Sequence, residues 1–142
     1  MAKDTKFFDD FARQIKLSIH TIAPAKVVRY HESKQRADIQ LLFMTVYKDG
    51  TKEPYGLLED VPVQFQRFKL NKGQSFQIQI NGVTQTAQVE QDLVYTPFLR
   101  AGDIVVVGFA ERALDNLTDK PFDPEFHRTH SVQDAVVLGV LK

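Results

Sequence analysis

The sequence predicts a mainly β, all-β-class protein: a small Greek-key barrel preceded by one amphipathic helix and carrying an extra β-hairpin. Three observations predict it. Short β-favouring runs separated by turn residues recur from Ala25 to Leu141. The strand–helix alternation that marks a parallel sheet is absent. One segment, QSFQIQINGVTQTAQVE, alternates cleanly on both sides of an Asn-Gly turn.

Residues 1–22 read as the helix. Phe7, Phe8, Phe11, Ile15 and Ile19 recur at three- and four-residue intervals, with Asp9, Asp10, Arg13 and Lys16 between them. Asp4 or Thr5 stands where a cap is expected, and Pro24 lies just past the end. The apolar stripe has two destinations, its own domain or a neighbouring subunit. Residues 23–142 read as the barrel, and the chain as a single domain overall.

Strands begin at Ala25. Ala25 to Tyr30 is the first, and the polar run His31 to Arg36 is a turn. A long strand is expected from Ala37 to Tyr47. It starts in alternation, with Asp38 and Gln40 set against Ile39 and Leu41. It ends apolar on both faces at Leu42, Phe43, Met44 and Val46, as a strand covered at its far end would. Asp49-Gly50 marks a tight turn. Val61, Val63 and Phe65 form another strand, which Pro62 places at an edge.

The hairpin register follows from its turn. Asn81-Gly82 supplies the two positive-φ positions, so Ile80 faces Val83, Ile78 faces Gln85 and Phe76 faces Ala87. Gln77, Gln79, Thr84, Thr86 and Gln88 share the opposite face. After Pro97, Ala101-Gly102-Asp103 is turn chemistry, and Ile104 to Ala110 is a strand apolar on both faces. Gly108 stands where such a strand bends or bulges. The last strand runs from Ala135 to Leu141.

Composition narrows the function classes. The 18 basic residues equal the 18 acidic ones, so the excess positive charge of a nucleic-acid binder is missing. There is no cysteine, which excludes disulfides, thiolate catalysis and thiol-ligated zinc. No apolar run approaches the ~20 residues that span a bilayer, and stable membrane association is not expected. Asp9 and Asp10 occupy the place of a signal peptide's hydrophobic segment, so no export signal is read. Repeats, low-complexity tracts and linkers are absent.

The chemistry-bearing candidates are few. Glu111, Asp115 and Asp103 suggest paired carboxylates, but acid–base work needs one of a pair desolvated. Glu111 instead sits beside Arg112, as charges do at the rim of any barrel. His127 and His130 can share a metal only if their segment is helical, with Asp123, Glu125 or Asp134 completing the set; His20 and His31 are distant in sequence. Phosphate-binding Gly-rich loops and Gly-x-Ser-x-Gly elbows are absent. Phe65, Arg67, Phe68, Lys69 and Lys72 form a possible base-stacking patch, the basis of an alternative reading as a single-stranded nucleic-acid-binding module. No catalytic, cofactor-binding or metal-binding residue is assigned.

One motif is more specific than its composition. The stretch LRAGDIVVVGFAERALDNL, Leu99 to Leu117, resembles the N-terminal domain of the central spike proteins of contractile phage tails. Three further pieces resemble that family in the same order: IHTIAPAKVVRYHESKQRADIQL, the Asp-Val-Pro-Val of LLEDVPVQF at Asp60 to Val63, and HRTHSVQDAVVLGVL before the end. The similarity runs from about Ile15 onward.

The resemblance implies an OB-fold barrel without catalytic residues or cofactors. It implies a homotrimer on the tail axis, between baseplate hub proteins and a needle or spike tip chain, in the virion after synthesis in the host cytoplasm. The segment from 77 to 96 is longer than that pattern and reads as an extra contact arm. The family's β-helical spike is not present before Lys142, so the chain is expected to be a spike base or hub adaptor, not the needle. The subunit interface is expected at Phe7, Phe11 and Ile15 on the helix, and at Glu111, Arg112 and Asp115 on the rim. Charge pairs in such a rim set register more than affinity.

Overall fold

A computed structural model describes residues 2–142. Helix α1 (Ala2–Ser18) leads into β1 (Ile22–His31), β2 (Arg36–Leu41), β3 (Met44–Val46), β4 (Lys52–Pro54) and β5 (Leu58–Pro62). Then come β6 (Lys69–Leu70), β7 (Ser75–Ile80), β8 (Val83–Gln88) and β9 (Leu93–Val94). The chain finishes with β10 (Ile104–Phe109), a short 3-10 turn at Val132–Asp134, and β11 (Ala135–Val140). It is mainly β, with one N-terminal helix. The strands belong to two compact units, one running to Gln64 and resuming at Leu99–Lys142, the other Phe65–Phe98.

The first unit is built on a curled five-stranded antiparallel sheet in the order β11-β10-β1-β2-β5. Val27, Ile39, Val105, Val107 and Val137 are its fully buried centre. Three bulges curl it. Val28 is the extra residue of β1, between the Val27–Ile39 and Arg29–Asp38 pairs. Glu59 and Asp60 on β5 oppose Asp38 alone, and Leu138 is extra on β11. The curl brings β5 back toward β11, where Val63 forms a parallel bridge to Val137 and the Gln64 N–H donates to the Val137 carbonyl at 2.8 Å.

Several expectations need correction. The helix runs from Ala2, so Asp4 and Thr5 lie inside it rather than at the position before its first turn. Pro24 is inside β1, opposite Val106. Its carbonyl accepts from the Leu42 N–H, just past the end of β2, so the ring nitrogen faces the same residue and the β1–β2 ladder ends there with one bond of that pair missing.

The strand expected from Ala37 to Tyr47 breaks at Leu42–Phe43, and Met44–Val46 leaves to pair with β4 as a separate hairpin. Its burial is the reverse of the expected pattern. Ala37, Asp38 and Ile39 are buried, whereas Leu42, Phe43, Met44 and Val46 are exposed. The bulge beside Gly108 sits one step earlier, between Val106 and Val107, and its extra residue is on the partner strand. Gly108 makes room for that residue, since a Cβ there would lie 3.1 Å from Leu138 Cδ1.

The turns fall where the sequence places them. Asp49 Oδ1 accepts from both the N–H and the hydroxyl of Thr51 around Gly50. Gly102, at φ +98°, follows Arg100, whose N–H donates to Asp103 Oδ2 at 2.8 Å.

The second unit holds two small sheets, β6–β9 and β7–β8. The β7–β8 hairpin has the expected register in every pair, with Asn81 and Gly82 both at positive φ. Val89 is buried, and its backbone bonds to Gly73 and Gln74.

Candidate interaction surfaces

The most highly organised charge in the first unit joins the end of β10 to the start of β11. Asp134 is 3% exposed. Arg128 approaches it as a fork, with Nε to Oδ2 and Nη2 to Oδ1, and Nη2 also donates to Asp115. Leu114 N–H completes the shell on Oδ1 at 3.0 Å. Backbone bonds close the same region, from Ala110 N–H to the Asp134 carbonyl and from His130 N–H to the Ala110 carbonyl.

Burial pushes the Asp134 carboxyl up, but Arg128 and the Leu114 N–H outweigh it and hold the group below the usual carboxylate range. The Arg128 guanidinium, facing Asp134 and then Asp115, is held protonated beyond its ordinary range and lies 4.8 Å from the Phe126 ring centre.

This clasp places the expected rim residues. Asp115 is not free for chemistry, being ion-paired to Arg128. Glu111 and Arg112 are exposed just after β10, ahead of the fully buried Ala113. Asp103 closes its own turn.

Sequence reasoning missed Arg128 and Asp134 as a pair. The available signal was an aspartate set directly against the apolar run AVVLGV, where a charge needs a partner.

A second buried carboxylate, Asp38, holds the bulge between β2 and β5. Its Oδ1 accepts the Asp60 N–H at 2.9 Å, at a residue with φ +55°, and its Oδ2 lies 3.1 Å from His31 Nε2. The Asp60 N–H and then His31 hold Asp38 below the usual carboxylate range against its desolvation.

The expected helix face is unpartnered. Phe7, Phe11 and Ile15 are 65%, 54% and 46% exposed, and Phe7 stacks on Phe11 with ring centres 6.3 Å apart. Every side chain described along the helix, from Thr5 to Ser18, is exposed. A lone helix of 17 residues is marginal in water without something to cover its apolar stripe.

The histidine segment is not helical, so the condition for His127 and His130 to share a metal is not met. Among the described residues no group of three or more His, Cys, Asp or Glu side chains is arranged to hold a metal ion. In the second unit, Phe68 and Tyr95 are exposed and meet edge to face. Lys69, one of the cations of the base-stacking patch, is ion-paired to Asp92 at 2.8 Å, and Asp92 also accepts the Lys72 N–H.

Uncovered apolar surface is general. Besides the helix it includes Leu42 to Val46, one face of β7–β8, and Leu138, Val140 and Leu141 at the chain's end. Comparison of the chain with family models and with curated proteins returned no match.

Proposed function

We propose that the chain is a non-enzymatic structural subunit of a phage-type contractile tail. It acts as a spike base or hub adaptor at the centre of the baseplate, as a homotrimer linking hub proteins to a needle chain. The observation that carries this reading is the strand order. An OB-fold barrel makes a three-strand meander, sets its fourth strand beside the first and returns the fifth, in parallel, to the third. The meander β1-β2-β5, with β10 on β1 and a single parallel bridge from β11 to Val63 past the end of β5, supports that reading.

The pieces that carry the resemblance lie on or beside strands of this sheet, which supports the reading. Asp60 to Val63 lies at β5, Gly102-Asp103 turns into β10, and Ser131 to Ala135 opens β11. The non-enzymatic reading is supported by what the carboxylates do, since Asp103 and Asp115 are engaged by Arg100 and Arg128. The exposed apolar side chains of α1, of Leu42 to Val46 and of the chain's last strand support a life in assembly.

The test is the mass in solution by light scattering across a concentration series. A particle three times the 16.2 kDa chain is expected; a monomer throughout overturns the trimer. The single-stranded nucleic-acid-binding alternative has the exposed Phe68–Tyr95 pair in its favour, and it predicts salt-sensitive retention of a labelled single strand.

A further inference from the structure

We infer that Asn81 is a site of spontaneous covalent modification. Its side-chain amide is lost through attack by the Gly82 backbone nitrogen, and the β7–β8 turn is converted to aspartate and isoaspartate. The inference goes beyond the assembly proposed above and does not depend on it.

The chain holds three asparagines, Asn71, Asn81 and Asn116. Loss of the amide by this route uses the N–H of the next residue as the nucleophile, and a nitrogen already donating a hydrogen bond is held out of that role. The structure separates the three on this point. The Lys72 N–H donates to Asp92 Oδ1 at 2.8 Å, and the Leu117 N–H donates to the Leu114 carbonyl at 3.0 Å. The Gly82 N–H has no acceptor among the described residues. A two-residue turn closes through the residues that flank it, here Ile80 and Val83, and leaves its second N–H unused.

Asp49-Gly50 sharpens the contrast, since it is the chain's other turn of this kind. There the Gly50 N–H donates to the Tyr47 carbonyl at 3.0 Å, and Asp49 Oδ1 is held by the N–H and hydroxyl of Thr51.

The electrophile is as open as the nucleophile. Asn81 and Gly82 are both exposed, and the Asn81 amide makes no hydrogen bond among the described residues. Nothing lies within 4 Å of a Cβ built on Gly82. Two strands without a covering layer open at little cost, and of the twelve strand residues only Ala87 is even half-buried. The turn therefore leaves its resting geometry often enough for the Gly82 nitrogen to reach Asn81 Cγ.

The step balances with water as the only co-reactant. The Gly82 nitrogen gives up its proton and bonds to Asn81 Cγ, and the Cγ–Nδ2 bond breaks with departure of ammonia, leaving a five-membered succinimide. Water then opens the ring. Attack at the side-chain carbonyl gives aspartate, which keeps a turn of the same type. Attack at the Asn81 main-chain carbonyl gives isoaspartate, whose backbone runs through Cβ and carries an extra methylene. That lengthens the two-residue turn that sets the Ile80–Val83 register. Either product places a negative charge in a segment, Ser75 to Gln88, that has none.

The test is peptide mapping by mass spectrometry after incubation of the folded chain in mildly alkaline buffer, with a parallel sample in urea. Isoaspartate is read by methylation with isoaspartate methyltransferase. Asn81 is expected to convert several times faster than Asn71 or Asn116 in the folded chain, with isoaspartate among its products. An amide that stays intact at Asn81 in the folded chain while converting in urea overturns the inference, because the turn then protects it. Equal conversion at all three asparagines overturns it as well.

Asn81→Asp separates the added methylene from the added charge. Hydrogen exchange across Ser75–Gln88 is expected to speed up in the isoaspartate fraction and to stay near that of the unmodified chain in Asn81→Asp. Equal exchange in the isoaspartate fraction and the unmodified chain would refute the loss of register.

Discussion

Arg128 holds Asp134 with two parallel hydrogen bonds, Nε to Oδ2 and Nη2 to Oδ1, both 3.1 Å long. The carboxylate is buried, so the pair matters more for what its loss leaves behind than for its own attraction. Arg128→Ala strands the Asp134 charge and should give the largest drop in urea midpoint among the clasp variants. Arg128→Lys keeps a charge but not the fork, and falls between. Asp115→Ala removes only the outer, half-exposed partner and should cost no more than about 1 kcal/mol. Equal midpoints for the three would refute this account of the clasp.

Acid should loosen the first unit through Asp38 and Asp134. Both carboxyls are held below their ordinary value in the folded state. Their stabilisation is therefore complete above the unfolded pKa of about 4 and is lost as pH falls through the depressed folded values. Asp38→Asn keeps an oxygen for the Asp60 N–H but removes the titrating charge. Its thermal midpoint should fall less steeply with acid than that of the unmodified protein, and a superimposable pH profile would count against the assignment.

The hairpin turn should fail locally. Gly82 is at φ +79°, and nothing lies near a Cβ built there, so the cost of Gly82→Val is backbone strain, about 1–3 kcal/mol. Hydrogen exchange is expected to speed up across Ser75–Gln88 while Val27, Ile39 and Val107 keep their protection. Loss of protection in both sets would mean that the two units fold as one.

Core and surface substitutions of the same residue type should differ sharply. Ile39 is fully buried, and Ile39→Ala is expected to cost about 2–5 kcal/mol. Ile80→Ala, in dilute monomer, should stay within about 0.5 kcal/mol of the unmodified chain. Denaturant titrations at low concentration decide it.

The expected interface residues make their own prediction. Phe7→Ser with Phe11→Ser, and separately Arg112→Glu, should lower the assembled mass by light scattering without moving the thermal midpoint of the monomer. An unchanged mass would remove those positions from the interface.

The sequence was most legible where the chain's own neighbours decide the structure. The register of Phe76–Ala87 and Ile80–Val83 follows from Asn81-Gly82, because turn geometry and alternation agree. It was least legible where apolar residues lack a partner within the chain. Leu42, Phe43, Met44 and Val46 read as a covered strand end, since hydrophobicity reports that a surface wants covering and not what covers it. The rim was legible as a cluster of charges, but the pairing was not. Arg128 reaches Asp115 and Asp134 across 13 and 6 residues of irregular chain, for which no periodicity exists.

The seam between β5 and β11 has a mechanical consequence. It is one bridge wide, Val63 on Val137, and the next residue, Gln64, makes the last backbone bond before the chain leaves for the second unit. On the return side the chain is anchored by the buried Leu99. Val63, one residue before the Gln64 bond, is itself buried in the core, so the chain leaves the first unit from one anchored side chain and returns to it at another, Leu99. The insertion between them is clamped at both crossings, and the narrow seam is held by side-chain burial as well as by its backbone bonds.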